Sequence, residues 1–141
     1  MKTFLHIDDG RSNKSDIKGF KNEDWNELKF NIDENSSAKN KGTLLDMSQF
    51  NSKSVDAMYS CKNIEHVYPH QVELVLGEFL RVLKDDGFAV IQCYDLQSVC
   101  EYVNKDKLLN SLYESDTADI TPMDILYGSR KDLEDGNHSR L

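Results

Sequence analysis

The sequence predicts one α/β domain, residues 1–141, built on a mostly parallel sheet of about five strands. Three observations carry this. Residues 54–60 read as a strand, the stretch opened by Pro69 and ended by Gly87 as a long amphipathic helix, and residues 88–93 as a dense apolar strand. That order is a βαβ unit, whose crossover closes right-handed onto a parallel sheet. Elsewhere, short apolar runs stop in turns such as Asp8-Asp9-Gly10 and Asp33-Glu34-Asn35, as buried strands do. Finally, 141 residues at 38% hydrophobic and 30% charged can build one packed core and are too apolar for wholesale disorder.

Along the chain, residues 3–7 form the first strand and residues 10–26 a polar loop with at most a turn or two of helix, anchored by Trp25. Residues 28–32 are a second strand, 35–41 a Ser/Asn/Lys-rich surface loop and 42–45 a third, very short strand. Pro69 opens the long helix, where its missing N–H is harmless. Val72, Val75, Leu76, Phe79, Val82 and Leu83 give it a stripe of 3.6-residue period, with Glu73, Glu78, Arg81 and Lys84 on the other face. Gly87 is placed to end it in a left-handed cap. Leu96, Val99, Cys100 and Val103 mark another helical face of about two turns. Residues 104–119 read as irregular, and residues 120–128 as a short helix opened by Thr121-Pro122 and closed by Gly128.

Charge and cysteine usage narrow the function classes. The formal net charge of -8 and pI near 4.9, with lysines scattered among acids, oppose binding to phosphate backbones, so no nucleic-acid partner is expected. Three cysteines without a CxxC spacing argue against a disulfide framework and for a reducing compartment. No run approaches the ~20 apolar residues that span a bilayer, and residues 1–10 carry no signal-peptide core. A cytoplasmic protein with no membrane partner is the expectation.

In open parallel sheets ligands bind beyond the carboxyl ends of the strands, which directs attention to residues 8–10, 33, 46–47, 60–66 and 94–95. Gly10 lets backbone approach a ligand closely, or simply makes a turn. Asp33 can accept from both ribose hydroxyls, or stand as a solvated turn aspartate. Asp46 with Met47 can meet an adenine ring, or Asp46 can cap a turn through Ser48. His66 and His70 flank Pro69, which breaks any shared helical face, and Glu65-His66 is not an HExxH pattern, so no metal is expected. His66 can serve as base or orient a substrate, or link strand end to helix start. Cys61 has no base placed beside it by spacing and reads as an inert thiol.

Together these residues resemble the class I, Rossmann-like S-adenosylmethionine-dependent methyltransferases of the small type 11 kind. The resemblance is carried by Phe4-Leu5-His6-Ile7, Trp25-Asn26-Glu27, Asn31-Ile32-Asp33, Gly42-Thr43-Leu44-Leu45-Asp46-Met47-Ser48 and Ser54-Val55-Asp56-Ala57. It continues through Asn63-Ile64-Glu65-His66-Val67-Tyr68-Pro69-His70, Glu78-Phe79-Leu80-Arg81-Val82-Leu83-Lys84, Asp95-Leu96-Gln97 and the 120–128 segment. It implies a Rossmann-like three-layer sandwich with S-adenosylmethionine as cofactor. His6, Asp8 and Gly10 would then face the cofactor's methionine part, Asp33 its ribose, and Asp46 and Met47 its adenine. Ser60 and Cys61 would lie near the sulfonium, and His66 toward a small-molecule methyl acceptor as the catalytic residue.

The chain departs from the family pattern in places. Asp8 and Asp9 stand where the family usually has a glycine and a small residue. Lys62 and Ser129 replace frequent histidines, and Tyr94 a frequent proline. The family's C-terminal helix and two antiparallel strands are expected to be missing, which would leave a sheet edge where the chain can self-associate. The alternative reading that follows is a methyltransferase-like binding or accessory protein without catalysis, completed by a partner.

Overall fold

The structure, a computed structural model, describes residues 1–8, 12–32, 39–114 and 119–128. The chain divides into two compact units, residues 1–93 and residues 94–141.

The first unit is a four-stranded, wholly parallel sheet in the order β2-β1-β3-β4, with β1 Lys2–Asp8, β2 Trp25–Asn31, β3 Val55–Cys61 and β4 Leu83–Gln92. Alternation along a pleated strand sends successive side chains to opposite faces, and parallel register aligns them between strands. Leu5, Ile7, Phe30 and Met58 therefore share one face, where they meet Val75, Phe79 and Val82 of helix α1 (Val72–Val82). Phe4 and Ala57 lie on the other face with Trp25, Tyr59 and Val90, covered by Ile17 and Phe20 of the segment leading to β2. That segment holds only one short 3-10 turn, Lys14–Asp16, in agreement with the sparse helix expected there. Both faces are buried, which is why β1 reads as an unbroken apolar run.

Three expectations are corrected within this unit. The very short strand expected at residues 42–45 is a turn, closed by the Asp46 N–H donating to the Thr43 carbonyl at 3.2 Å. Only isolated bridges, Asn31 with Lys41 and Thr43 with Asp46, touch it. The segment must turn because Leu44, Met47 and Phe50 all drop into the core within seven residues. Trp25 is the first residue of β2, not a loop anchor. The helix does not run to Gly87: it ends at Val82, and residues 83–87 already belong to β4.

The physical reason lies in Asp85 and Asp86, which oppose the negative end of a helix dipole. Leu83 instead pairs with Val55, and the next pair is Ala57 with Phe88, so β4 bulges between them. Gly87 is needed there for space, not for a left-handed cap. A Cβ on it would stand 3.0 Å from the Lys84 carbonyl oxygen and 3.1 Å from that of Asp56.

The second unit contains α2 (Leu96–Asn104), a two-residue antiparallel pair of β5 (Tyr113–Glu114) with β6 (Asp119–Ile120), and α3 (Pro122–Tyr127). The Asp95 carboxylate caps α2 by accepting from the Gln97 and Ser98 N–H groups. The Ser98 hydroxyl, donating to the carboxylate at 2.7 Å, lowers its pKa, and these N–H bonds act the same way. Thr121 and Asp124 form a reciprocal capping box at α3, and Gly128 leaves the helix with φ 79°, where a glycine is favoured.

Candidate functional site

The carboxyl ends of β1, β2 and β3 lie side by side, tied by the Ile32 N–H donating to the Asp8 carbonyl at 3.2 Å. After β3 the chain takes a left-handed residue, Lys62 (φ 58°), whose N–H donates to the Gln92 carbonyl of β4. This reversal folds Asn63 back beneath β1. Its buried side-chain amide donates to the Ile7 carbonyl and to Ser60 Oγ, both at 3.1 Å.

One sheet face carries a polar cluster toward these strand ends. His6 is fully buried, and its Nδ1 donates to Glu27 Oε1 of β2 at 2.6 Å. Its Nε2 lies 3.1 Å from Ser12 Oγ and 3.6 Å from Asp8 Oδ2. Asp8 Oδ2 accepts from both the N–H (3.1 Å) and the hydroxyl (2.9 Å) of Ser12. Lys29, beside His6 in register on β2, donates to the Ser12 carbonyl at 2.9 Å.

Next along the same face, Tyr59 packs edge-on to His6 and its hydroxyl donates to Gln92 Oε1 at 2.7 Å. Burial pushes the Tyr59 phenol up to about 12, with the neighbouring Cys61 and Asp8 acting the same way.

A second polar device positions Asp46. Glu78 and Arg81, three apart on α1, pair at 2.7 Å. Glu78 accepts the Met47 N–H at 2.9 Å, while Arg81 donates to the Met47 and Phe50 carbonyls, each at 2.9 Å. The Arg81 hydrogen bonds hold the Glu78 carboxyl down at about 2, against an ordinary value of 4.5. Asp46 itself is exposed, and its Oδ1 accepts the Ser48 N–H at 3.0 Å, closing the turn that the sequence allowed.

The residues singled out from sequence are therefore distributed unevenly. His6, Asp8 and Cys61 share one face near the strand ends. Ser60 is buried on the opposite face against Asn63. Met47 is fully buried in the core with Phe30 and Phe50, so its side chain is a packing element. His66 is exposed at the end of the 3-10 turn Ile64–His66. Gly10 and Asp33 lie outside the described residues. Among the described residues no group of His, Cys, Asp and Glu is arranged to hold a metal ion, and all three cysteines are unpaired thiols. An open hollow lined by Lys2, Asp24 and Trp25 lies at the amino ends of β1 and β2, away from this chemistry.

Sequence reasoning missed Glu27, Ser12, Tyr59 and the Glu78–Arg81 clamp. The i,i+3 Glu–Arg spacing was a readable signal for the clamp. Nothing in local pattern announced that Glu27 and His6, 21 residues apart, would touch.

Parallel strands in the order β2-β1-β3-β4, with polar groups gathered toward their carboxyl ends, define a Rossmann-like α/β protein. The family model described as "Methyltransferase domain" matches residues 24–91, just under half of the chain, and bears out the resemblance to class I S-adenosylmethionine-dependent methyltransferases. No curated protein matches this chain. No helix among the described residues is long and apolar enough to cross a membrane.

Proposed function

We propose that the protein transfers a methyl group from S-adenosylmethionine to a small-molecule acceptor. The observation that carries this reading is the methyltransferase-domain match across β2, β3, α1 and most of β4, joined to polar side chains at the strand ends where such sheets take ligands.

The residues fit the cofactor in part. Asp46 offers an exposed carboxylate on a braced turn, and Asp8 and Cys61 lie at neighbouring strand ends. His6, Ser60 and Met47 are occupied by the fold and would act only from behind. Asp33 for the ribose and Gly10 for close backbone approach complete the proposed set. When bound, the cofactor supplies an electrophilic methyl group for in-line displacement, so the protein's own work is positioning and electrostatics. His66, exposed just past β3, is the proposed group for orienting the acceptor or holding its proton. The cytoplasm is the proposed location. The edge of β4, with Phe88 and Ile91 exposed, is the proposed place of self-association.

A second reading, binding without catalysis, is favoured by one observation. The buried Asp8 carboxylate stands where the family places a glycine. Calorimetric titration with S-adenosylmethionine and S-adenosylhomocysteine tests the main reading. Saturable binding weakened by Asp33→Ala and Asp46→Ala is expected, and absence of binding at millimolar ligand would overturn it. Binding without turnover across a panel of small acceptors would favour the second reading.

A further inference from the structure

Residue 12 is held from three directions. Its N–H and hydroxyl donate to Asp8, its Oγ is within 3.1 Å of His6 Nε2, and its carbonyl accepts from Lys29. Behind His6 stands Glu27. The 2.6 Å contact between Glu27 Oε1 and Nδ1 sets the ring's rotation. The ring is fully buried, and the contact spans two strands whose separation is fixed by main-chain pairing. Glu27 therefore determines where Nε2 points, and through it where Ser12 sits relative to Asp8.

We propose that Glu27 is a positioning residue. Acting through His6, it fixes the clasp between Ser12 and Asp8 and so holds the Asp8 carboxylate, at the carboxyl end of β1, toward the amino-acid end of the cofactor. This rests on the methyltransferase reading. Its physical appeal is substitution of one constraint for another. Where a glycine-rich turn fits a ligand by lacking side chains, this chain has Asp8 and His6. It ties them down with a part-buried set of contacts, Glu27 to His6, His6 to Ser12 and Ser12 to Asp8, the Ser12 hydroxyl proton going to Asp8. Such networks are rigid when every member is satisfied, and among the described residues no buried side-chain nitrogen or oxygen lacks a partner.

The test compares the full chain with Glu27→Gln, Glu27→Leu and Ser12→Ala. Calorimetry with S-adenosylhomocysteine, ring 15N NMR of His6 and amide hydrogen exchange at Ser12 and Asn13 are the readouts. Glu27→Gln keeps an acceptor oxygen for Nδ1–H and is expected to bind within about 3-fold of the parent. Glu27→Leu is expected to weaken binding by about 10-fold or more, the scale of one buried hydrogen bond. It should also move the Nδ1 resonance and speed exchange at Ser12. Should Glu27→Leu fail to fold, Ser12→Ala keeps the Glu27–His6 contact, removes only a partly exposed hydroxyl and is expected to weaken binding by a similar factor.

Unchanged ligand binding and unchanged Ser12 exchange in Glu27→Leu, with the parent binding normally, would overturn the positioning role alone. Unchanged binding in Ser12→Ala would do the same. Absence of binding by the parent would overturn the methyltransferase reading and the cofactor part of this proposal, while exchange at Ser12 still reports on the clasp. Labelling of Ser12 by a fluorophosphonate would show that His6 activates a nucleophile, which also overturns it.

Discussion

Glu78 and Arg81, one turn apart on α1, close on each other at 2.7 Å and between them hold both main-chain polar groups of Met47. The pair is a clamp that fastens residues 46–50 to the helix, and it places the Asp46 turn. Both side chains are partly buried and are further hydrogen-bonded to main-chain groups, which fixes the pair in one geometry as an isolated surface ion pair is not.

The clamp sets an acid limit on stability. The Glu78 carboxyl is held at about 2 in the folded chain, below its ordinary value of 4.5. A depressed carboxyl contributes stability that is fully present above the unfolded value and is lost as pH falls through the folded one. The melting temperature is therefore expected to drop between about pH 4.5 and 2, and Glu78→Gln should flatten that dependence while lowering the plateau. Thermal melts across that window check it.

Alkaline pH acts on Tyr59. Burial raises its phenol to about 12, so the unfolded chain releases this proton first and stability falls as pH rises from about 10 toward 12. Spectrophotometric titration of the six tyrosines should show one late component that Tyr59→Phe removes. Its persistence in that variant would assign it elsewhere.

Gly87→Ala is expected to destabilise by about 1–3 kcal/mol, the usual cost of overpacking. The added methyl meets main-chain oxygens of Lys84 and Asp56, which cannot rotate away. Denaturant unfolding measures it. A left-handed cap would predict comparable loss for any L-residue, whereas a steric origin predicts a steeper loss for Val than for Ala.

Met47→Ala is expected to cost about 2–5 kcal/mol as a core truncation, lowering the unfolding midpoint. Asp46→Ala, an exposed change, should leave the midpoint within about 0.5 kcal/mol and act on ligand binding alone. Paired unfolding and calorimetry on the two variants separate the packing residue from the proposed ligand.

Replacing Asp8 by glycine, toward the family pattern, is expected to weaken S-adenosylhomocysteine binding. Its carboxylate accepts twice from Ser12, and those donors lose their partner in the variant. Tighter binding in Asp8→Gly would show that the side chain obstructs the crevice instead.

Much of this was readable in the chain. The runs that became β1, β3 and the latter half of β4 are dense in apolar residues because parallel strands are covered on both sides. The Val75–Phe79–Val82 stripe foretold the buried face of α1, and Thr121-Pro122 with Gly128 foretold both ends of α3. The failures have one character. Gly87 and the 42–45 turn follow from how close β3 and β4 run and from how deeply Leu44 and Met47 must sink. Neither depends on the residues' own preferences.

The same division holds for the site. Local spacing in the sequence determined the parallel α/β plan and the position of the strand ends, because periodicity and turn chemistry act over a few neighbouring residues. Only the tertiary structure decided that Met47 and Ser60 face inward, that Glu27 reaches His6, and that Glu78 and Arg81 grip the Asp46 turn. Those contacts join residues 21 to 34 positions apart, and their geometry exists only once the strands have paired and the helix has docked.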